Sequence, residues 1–153
     1  MINDSIAFDF AAEIECPLDD VFAFFRDVDQ HAGQPGTVVP VYDKVTPGPV
    51  GLGTRYREVV QLLPFVAGEI RAEVVCYEPP HRLGYHFSGL GMDGTLDYRF
   101  QAVTGGTRLR QHQVLRPRGV LRLLSPLIRL TFGRVAGRRL IFIKAWLEGE
   151  QGA

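Results

Sequence analysis

The sequence predicts an α+β domain in which a curved, seven-stranded antiparallel sheet wraps around a long C-terminal helix. The first observation behind this prediction is that most of residues 6–116 form short segments of alternating apolar and polar residues, divided by glycine and proline, which is typical of a meander of strands. The second is that only Arg118–Glu148 is long and apolar enough to form a major helix. The concave face of such a sheet needs an apolar cover, which this helix would supply.

The first strand and the first helix have the clearest local patterns. Every second residue from Ile6 to Ile14 is apolar, and the residues between them are alanine, aspartate or glutamate, as expected of a half-buried strand. Pro17 then opens a helix that runs to about Asp27, because proline suits the first helical turn and the two aspartates that follow favour the positive helix end. Asp29–Pro40 contains two glycines and two prolines, and it predicts a second short helix followed by a loop.

Six further strands are predicted between this loop and the C-terminal helix. Glycine and proline pairs such as Pro79-Pro80 and Gly105-Gly106 mark the turns between them. The expected strands are Val38–Thr46, Thr54–Leu63, Ala67–Tyr77, Arg82–Ser88, Gly94–Ala102 and Thr107–Arg116. The chain contains no internal repeat or linker, so its 153 residues, 46% of them hydrophobic, are expected to form one domain.

The C-terminal segment is expected to form two helical pieces. Pro126 lacks an amide donor and its ring clashes with the preceding turn, so it should kink or interrupt the helix, and Gly133 and Gly137 weaken the middle. The apolar residues recur at separations of three, four and seven, which predicts that they share one helical face. They are Val120, Leu121, Leu124, Leu127, Ile128, Val135, Phe142 and Trp146.

Alternation along the strands predicts four polar side chains on the inner face of the sheet. They are Glu58, Tyr98, Gln111 and Gln113. A hairpin turn at Gly105-Gly106 would place Gln111 roughly across from Tyr98 and Gln113 roughly across from Leu96. Burying these groups is costly unless they bond one another, water or a ligand. They therefore form a satisfied internal network, orient a polar group of a ligand, or support acid–base chemistry.

The same alternation places other polar residues on the outer face. His86 and His112 are expected at the surface, and Arg57 is expected to pair with Glu73 on the next strand. The histidines lack metal-ligand spacing, and the sequence contains no nucleophile elbow, phosphate loop or dinucleotide-binding motif. Neither a metal nor a cofactor is expected.

Net charge is zero, but the basic residues are concentrated towards the C-terminus. Residues 1–100 carry 7 basic and 15 acidic side chains, whereas residues 101–153 carry 10 basic and 2 acidic ones. Such a run is usually a solvated helix face, and the alternative is contact with anionic lipid or a protein through Arg118, Arg122 and Arg129. Nucleic acid is not an expected partner, because the domain as a whole is not basic and no recognition motif accompanies the arginines.

The cysteines and the termini bear on the cellular compartment. Cys16 and Cys76 have neither metal-ligand spacing nor the density of a disulfide scaffold, so both are expected to be reduced. The first residues show no secretory signal, and arginines interrupt the C-terminal segment too often for it to span a bilayer. We expect a cytoplasmic protein.

Four short motifs lie at the predicted element boundaries. They are Pro17-Leu18-Asp19-Asp20-Val21-Phe22, Val50-Gly51-Leu52-Gly53-Thr54-Arg55-Tyr56, Tyr77-Glu78-Pro79-Pro80-His81-Arg82-Leu83 and Gly105-Gly106-Thr107-Arg108-Leu109. With the order of strand, two short helices, six-strand meander and long helix, they resemble the START-like helix-grip superfamily (SRPBCC), in particular its polyketide cyclase/dehydrase and lipid-transport branch. The resemblance covers nearly the whole chain. It implies a deep cavity between sheet and helix for lipids, polyketides or other hydrophobic ligands.

The resemblance and the inward residues together predict a ligand pocket. Its expected lining is Tyr56, Glu58, Tyr85, Phe87, Tyr98, Phe100, Gln111, Gln113 and Trp146. The favoured hypothesis is binding or transport of a hydrophobic small molecule, because no activated nucleophile is present. The alternative is a polyketide cyclase or dehydratase that works without metal through Glu58 and Tyr98, and a second alternative is a membrane-surface or protein-interaction module. The sequence leaves the oligomeric state open.

Overall fold

The computed structural model describes residues 5–27, 41–63 and 66–151, which form a curved antiparallel sheet, one short helix and a long C-terminal helix. The strands are β1 (Ile6–Ile14), β2 (Val41–Lys44), β3 (Arg55–Leu63), β4 (Val66–Glu78), β5 (Arg82–Gly89), β6 (Met92–Val103) and β7 (Gly106–Pro117). The order in the sheet is β1-β7-β6-β5-β4-β3-β2, so β1 crosses over to pair with the last strand. The helix-grip architecture predicted from the sequence is confirmed.

The predicted strands are confirmed with small changes at their ends. β1 has the predicted bounds, whereas β2 ends at Lys44, two residues before the predicted end. The helix predicted after Pro17 is α1 (Leu18–Arg26), whose buried Val21, Phe22, Phe24 and Phe25 pack over β6 and β7. The second short helix, predicted within Asp29–Pro40, lies outside the described residues.

The C-terminal segment forms two helical pieces, as predicted. A 3₁₀ helix spans Gly119–Leu124, and the helix α2 follows directly from Ser125 to Gln151. Pro126 is the second residue of α2, where its missing N–H would have no helical partner in any case. The proline therefore stands in the first turn of α2, and the break between the two pieces comes just before it.

The buried face of α2 differs from the predicted face. Its buried residues are Ile128, Ala136, Leu140, Ile143 and Leu147. Of the predicted set, Val120, Leu124, Leu127 and Val135 are exposed. The prediction failed because α2 carries apolar residues on two sides, so spacing alone did not distinguish them, and because the 3₁₀ helix shifts the phase of the residues before Ser125.

Gly133 and Gly137 allow α2 to lie close against β1. A Cβ at Gly133 would lie 3.0 Å from Cε1 of Phe8, and one at Gly137 would lie 3.6 Å from Cε1 of Phe10. The ring of Phe132 also stacks on Phe8 at 5.9 Å between centroids. The glycines that weaken the helix by propensity therefore provide the contact that holds its first half on the sheet.

The outer face of the sheet carries cross-strand ion pairs. Arg55 Nε lies 3.3 Å from Glu73 Oε1, and Arg57 lies 3.7 Å from Glu69. The predicted pair of Arg57 with Glu73 is wrong, because the register places Arg55 opposite Glu73. None of the described helices combines the length and the apolar content needed to cross a membrane.

Candidate functional site

The inner face of the sheet brings together the aromatic side chains predicted to line a pocket. Tyr56, Tyr85, Phe87, Tyr98 and Phe100 are all buried there. The centroids of Tyr56 and Tyr85 are 6.0 Å apart, and those of Tyr85 and Tyr98 are 6.5 Å apart with perpendicular rings. Tyr98 and Tyr85 stand on the neighbouring strands β6 and β5, and Tyr56 stands on β3, across the small inward side chains of β4, so the three rings form an aromatic row across the sheet.

One end of this row is filled by α1. The ring of Phe25 lies 4.7 Å from that of Tyr98 and 5.5 Å from that of Phe100, measured between centroids. Phe22 meets Phe100 edge-on at 5.4 Å. Phe100 is therefore part of the core beneath α1.

Trp146 lies on α2 and is partly buried against the core. Its ring stacks with Phe142 at 6.4 Å between centroids. It is the only tryptophan in the chain, so its fluorescence reports on the region between α2 and the sheet.

The two inward glutamines stand where the sequence predicted them. Gln111 pairs with Tyr98 and Gln113 with Leu96 in the register of β6 and β7, and both glutamines are buried. Gln111 Nε2 donates to Gln113 Oε1 at 3.4 Å. Within the described part of the chain this is the one hydrogen bond that either side-chain amide makes. One carbonyl and one amide group are thus left to bond water or a ligand.

Glu58 points inward from β3, as predicted, and meets a cation on α2. Its Oε1 lies 3.9 Å from Nη1 of Arg139, and the two side chains are only 18% and 20% exposed. A separation of 3.9 Å is too long for a hydrogen bond, so the two groups attract each other without a direct bond between these atoms. The pair stands in a wall that is otherwise mainly apolar.

The pKa values of Glu58 and Tyr98 respond to this environment. Burial raises the pKa of Glu58, and the attraction of Arg139 offsets only part of that effect. Burial also raises the pKa of Tyr98, while the charge of Arg139 lowers it and that of Glu58 raises it. The three side chains are therefore near enough to interact electrostatically, and Glu58 is shifted towards its neutral, proton-donating form.

Arg139 is the site residue that the sequence interpretation missed, because it was counted with the solvated arginines. It lies three residues after Ala136 and four before Ile143, which puts it on the buried stripe of α2. Its neighbour Arg138 is exposed. Helical spacing relative to the buried residues would have separated the two, had the buried face of α2 been known.

The histidines stay at the surface, as predicted. His86 lies 3.8 Å from Asp93, and His112 lies 2.6 Å from Asp9, both on the outer face. Both imidazole side chains are about half exposed. Neither takes part in the inner polar set.

The long helix bridges the concave face. It approaches the sheet most closely at β1 and at β3, which lie near opposite edges of the sheet. Gly133 lies on the β1 side, and Arg139 meets Glu58 on the β3 side. The aromatic row and the two glutamines belong to the strands that α2 spans between these contacts.

This arrangement agrees with what the chain matches among known families. The model of a family described as polyketide cyclase / dehydrase and lipid transport matches residues 5–146. The chain belongs to this family. No curated protein matches the chain.

Solved structures share the same fold at low sequence identity. The di-domain ARO/CYC StfQ from the steffimycin biosynthetic pathway matches with a TM-score of 0.77 and 15% identity, covering 97% of this chain and 52% of StfQ. The di-domain ARO/CYC BexL from the BE-7585A pathway matches with a TM-score of 0.72 and 17% identity, covering 95% of this chain and 49% of BexL. Ara h 8.0201 matches with a TM-score of 0.71 and 13% identity, covering 94% of this chain and 97% of that one. The chain thus spans about half the length of the two ARO/CYC proteins.

Proposed function

We propose that this protein binds a mostly apolar small molecule, a lipid or a polyketide-like compound, between α2 and the inner face of the sheet. The observation that carries the proposal is the separated pair of Glu58 and Arg139 on an otherwise apolar and aromatic wall. Ligand cavities are mainly hydrophobic, with a few polar groups that fix orientation. The family's description, which names both polyketide chemistry and lipid transport, supports the same class of ligand.

The spacing of the pair suits an oxygen atom of the ligand. The 3.9 Å separation leaves no direct hydrogen bond between these two partly buried side chains. A ligand carbonyl, hydroxyl or carboxylate oxygen that reaches Arg139 accepts hydrogen bonds from the guanidinium. Burial raises the pKa of Glu58, and in its protonated form this side chain would donate a hydrogen bond to the same polar group. Such a ligand would bridge the two side chains.

The glutamine pair offers a second polar contact. Gln111 and Gln113 lie on β7, and three strands of the sheet separate them from Glu58 on β3. A ligand with oxygen atoms along its length, as a polyketide has, can use both sets, whereas a fatty acid uses one. The relative affinity for the two classes therefore measures which set orients the ligand.

A matched set of ligands and variants tests this proposal. The ligands are a fatty acid, the alcohol and the alkane of equal chain length, and an aromatic polyketide, each followed by Trp146 fluorescence. Arg139→Met should weaken binding of the oxygen-bearing ligands about 10- to 100-fold and change alkane binding little. Arg138→Met removes an equal charge from an exposed position and should bind like wild type.

The opposite results would defeat the proposal. If the folded wild-type protein binds none of these ligands, the proposal is wrong. Equal losses in Arg138→Met and Arg139→Met would mean that net charge acts in place of the inner site.

A polyketide cyclase or dehydratase is the second candidate, and the position of Glu58 favours it. A carboxyl group with a raised pKa beside Arg139 and near Tyr98 is suited to donate a proton to a ketone oxygen or to accept one from an adjacent carbon. Arg139 would then stabilise the enolate oxygen that develops. If aromatic polyketide precursors are converted, and Glu58→Gln abolishes turnover while binding is retained, the enzyme is the better description.

A further inference from the structure

The solvent-exposed surface of the 3₁₀ helix and α2 combines apolar side chains with arginines. The exposed apolar residues of this surface are Val120, Leu123, Leu127, Leu130 and Ile141. The exposed arginines among them are Arg122, Arg129, Arg134 and Arg138. These nine residues are called the basic apolar face below. Leu123, on the 3₁₀ helix, is 83% exposed.

The face follows the helical repeat. Leu127, Leu130, Arg134, Arg138 and Ile141 are separated by three, four, four and three residues, so they stand on one side of α2. The buried stripe from Ile128 to Leu147 stands on the opposite side. These five residues thus form a second, outward-facing stripe of α2, whereas Arg129, one turn before Gly133, is exposed nearer the sheet-facing side.

The arginines of this face differ from those on the sheet. On the outer sheet face, Arg55, Arg99 and Arg108 each lie within 3.3 Å of a carboxylate. Within the ranges 5–27, 41–63 and 66–151, no carboxylate lies within 4 Å of Arg129, Arg134 or Arg138. The sequence contains no aspartate or glutamate from residue 98 to residue 147. This surface therefore presents net positive charge.

An open groove lies where this face meets the sheet-facing side of α2. It has a volume of about 600 Å³ and is lined by Pro126, Arg129, Leu130, Gly133 and Arg134. Two guanidinium groups border the same apolar depression. This combination suits an anionic head group with an attached hydrocarbon stem, because the arginines bind the anion while the leucine and proline contact the stem.

We propose that the basic apolar face docks onto the surface of a membrane that contains anionic lipid. Exposed leucine, isoleucine and valine enter the boundary between head groups and acyl chains, and arginines stay at the level of the lipid phosphates. A second copy of the chain fits poorly, since a two-fold contact through this face would bring arginine against arginine. Nucleic acid would leave the leucines without apolar contacts.

Vesicle flotation tests this proposal. Wild-type protein should float with phosphatidylcholine vesicles that contain about a third phosphatidylglycerol, and not with pure phosphatidylcholine. Added salt should weaken the binding, because it screens the arginines. Arg129→Gln and Arg134→Gln should each weaken binding roughly fivefold, and the double variant roughly 30-fold.

Matched controls separate this surface from general charge and hydrophobicity. Arg71→Gln removes a charge from an exposed arginine on the outer face of β4 and should float like wild type. Leu130 and Val75 are both 51% exposed, and Val75 lies on that outer face. Leu130→Ser should therefore weaken flotation, while Val75→Ser should not. All these positions are exposed, so urea unfolding should show that each variant is folded.

Three results would overturn the proposal. The first is equal flotation with neutral and anionic vesicles. The second is an equal loss in the β4 controls and the α2 variants. The third is no flotation at all together with saturable binding of an acidic polypeptide such as polyglutamate, which would make the face a protein-binding surface.

Discussion

The outer face of the sheet and the interior beneath α2 hold their charges in opposite ways. Outside, Arg108 lies 2.9 Å from Glu13 and Arg55 lies 3.3 Å from Glu73, and all four side chains are at least 37% exposed. Inside, Glu58 and Arg139 are about one-fifth exposed and stay 3.9 Å apart. Exposed pairs contribute little to stability, whereas a buried pair costs desolvation that a loose contact does not return.

The difference shows where stability alone explains the structure and where it does not. The outer pairs align neighbouring strands and keep the surface polar, and no ligand is needed to account for them. Apolar residues in place of a buried ion pair are often neutral or stabilising. Packing alone therefore does not account for the inner pair. The proposed ligand-binding role of Glu58 and Arg139 accounts for this difference.

The largest expected effect is that of Arg139→Met on stability. Removing the cation leaves the Glu58 carboxylate buried without its partner, which should cost about 2 kcal/mol in the free energy of unfolding at neutral pH. The cost should shrink towards pH 4, where Glu58 is protonated in both the folded and the unfolded chain. Urea unfolding at several pH values measures both quantities.

Arg138→Met is the control for this measurement. Its side chain is exposed and has no carboxylate nearby in the described structure, so the substitution should change stability by less than about 0.5 kcal/mol. An Arg139→Met variant as stable as Arg138→Met at every pH would mean that Glu58 does not depend on the pair.

The next largest effect concerns the glutamines. Gln111→Leu should weaken binding of an oxygen-bearing ligand about tenfold, because it removes the amide that bonds Gln113 and leaves one fewer polar contact for the ligand. Binding of an alkane should be unchanged. Gln101→Leu, on the exposed face of β6, should affect neither ligand. Equal loss for the alkane would point to a packing change in place of a polar contact.

The pH dependence of stability gives a third test. The pKa of Glu58 is higher in the folded chain than its ordinary value of 4.5, so the folded state binds more protons between those two values. Rising pH therefore lowers the free energy of unfolding across a window that begins near pH 4.5. Glu58→Gln removes this contribution, and its stability relative to wild type should increase as pH rises through the window.

Chemical denaturation across pH 4 to 8 checks the sign. Glu73→Gln, which removes an exposed carboxylate on β4, should follow the wild-type curve closely. A difference between Glu58→Gln and wild type that stays constant with pH, or that falls as pH rises, would contradict the raised pKa of Glu58.

The smallest expected effect is on the outer face. Arg55→Gln breaks the exposed pair with Glu73 and should cost less than about 0.5 kcal/mol, with a further decrease in added salt. The same urea titration measures it. A cost comparable to that of Arg139→Met would remove the contrast between the two regions.

Much of the sheet was predictable because its signals are local. Alternation predicted both ends of β1. The glycine pair Gly105-Gly106 indicated the hairpin of β6 and β7, although its turn residues are Thr104 and Gly105, and the register sets Gln111 opposite Tyr98. One residue of error in that register would have turned the glutamines outward. The inward position of Glu58 followed from the same alternation along β3.

The partner of Glu58 was not predictable from local patterns. Arg138 and Arg139 look alike in the sequence, and only the rotation of α2 about its axis decides which one faces the sheet. Apolar residues such as Leu130 and Ile141 on the outward side gave the helix two apolar stripes, so spacing did not determine that rotation. Packing against β1 through Gly133 determines it.

Native mass spectrometry tests the central claim most directly. Wild type, Arg138→Met and Arg139→Met would each be incubated with an organic extract of the cells that make the protein, and retained small molecules would be identified by mass. We expect wild type and Arg138→Met to retain the same apolar, oxygen-bearing molecule and Arg139→Met to retain much less of it. Folded wild-type protein that takes up nothing from the extract, or equal retention by all three forms, would contradict the claim.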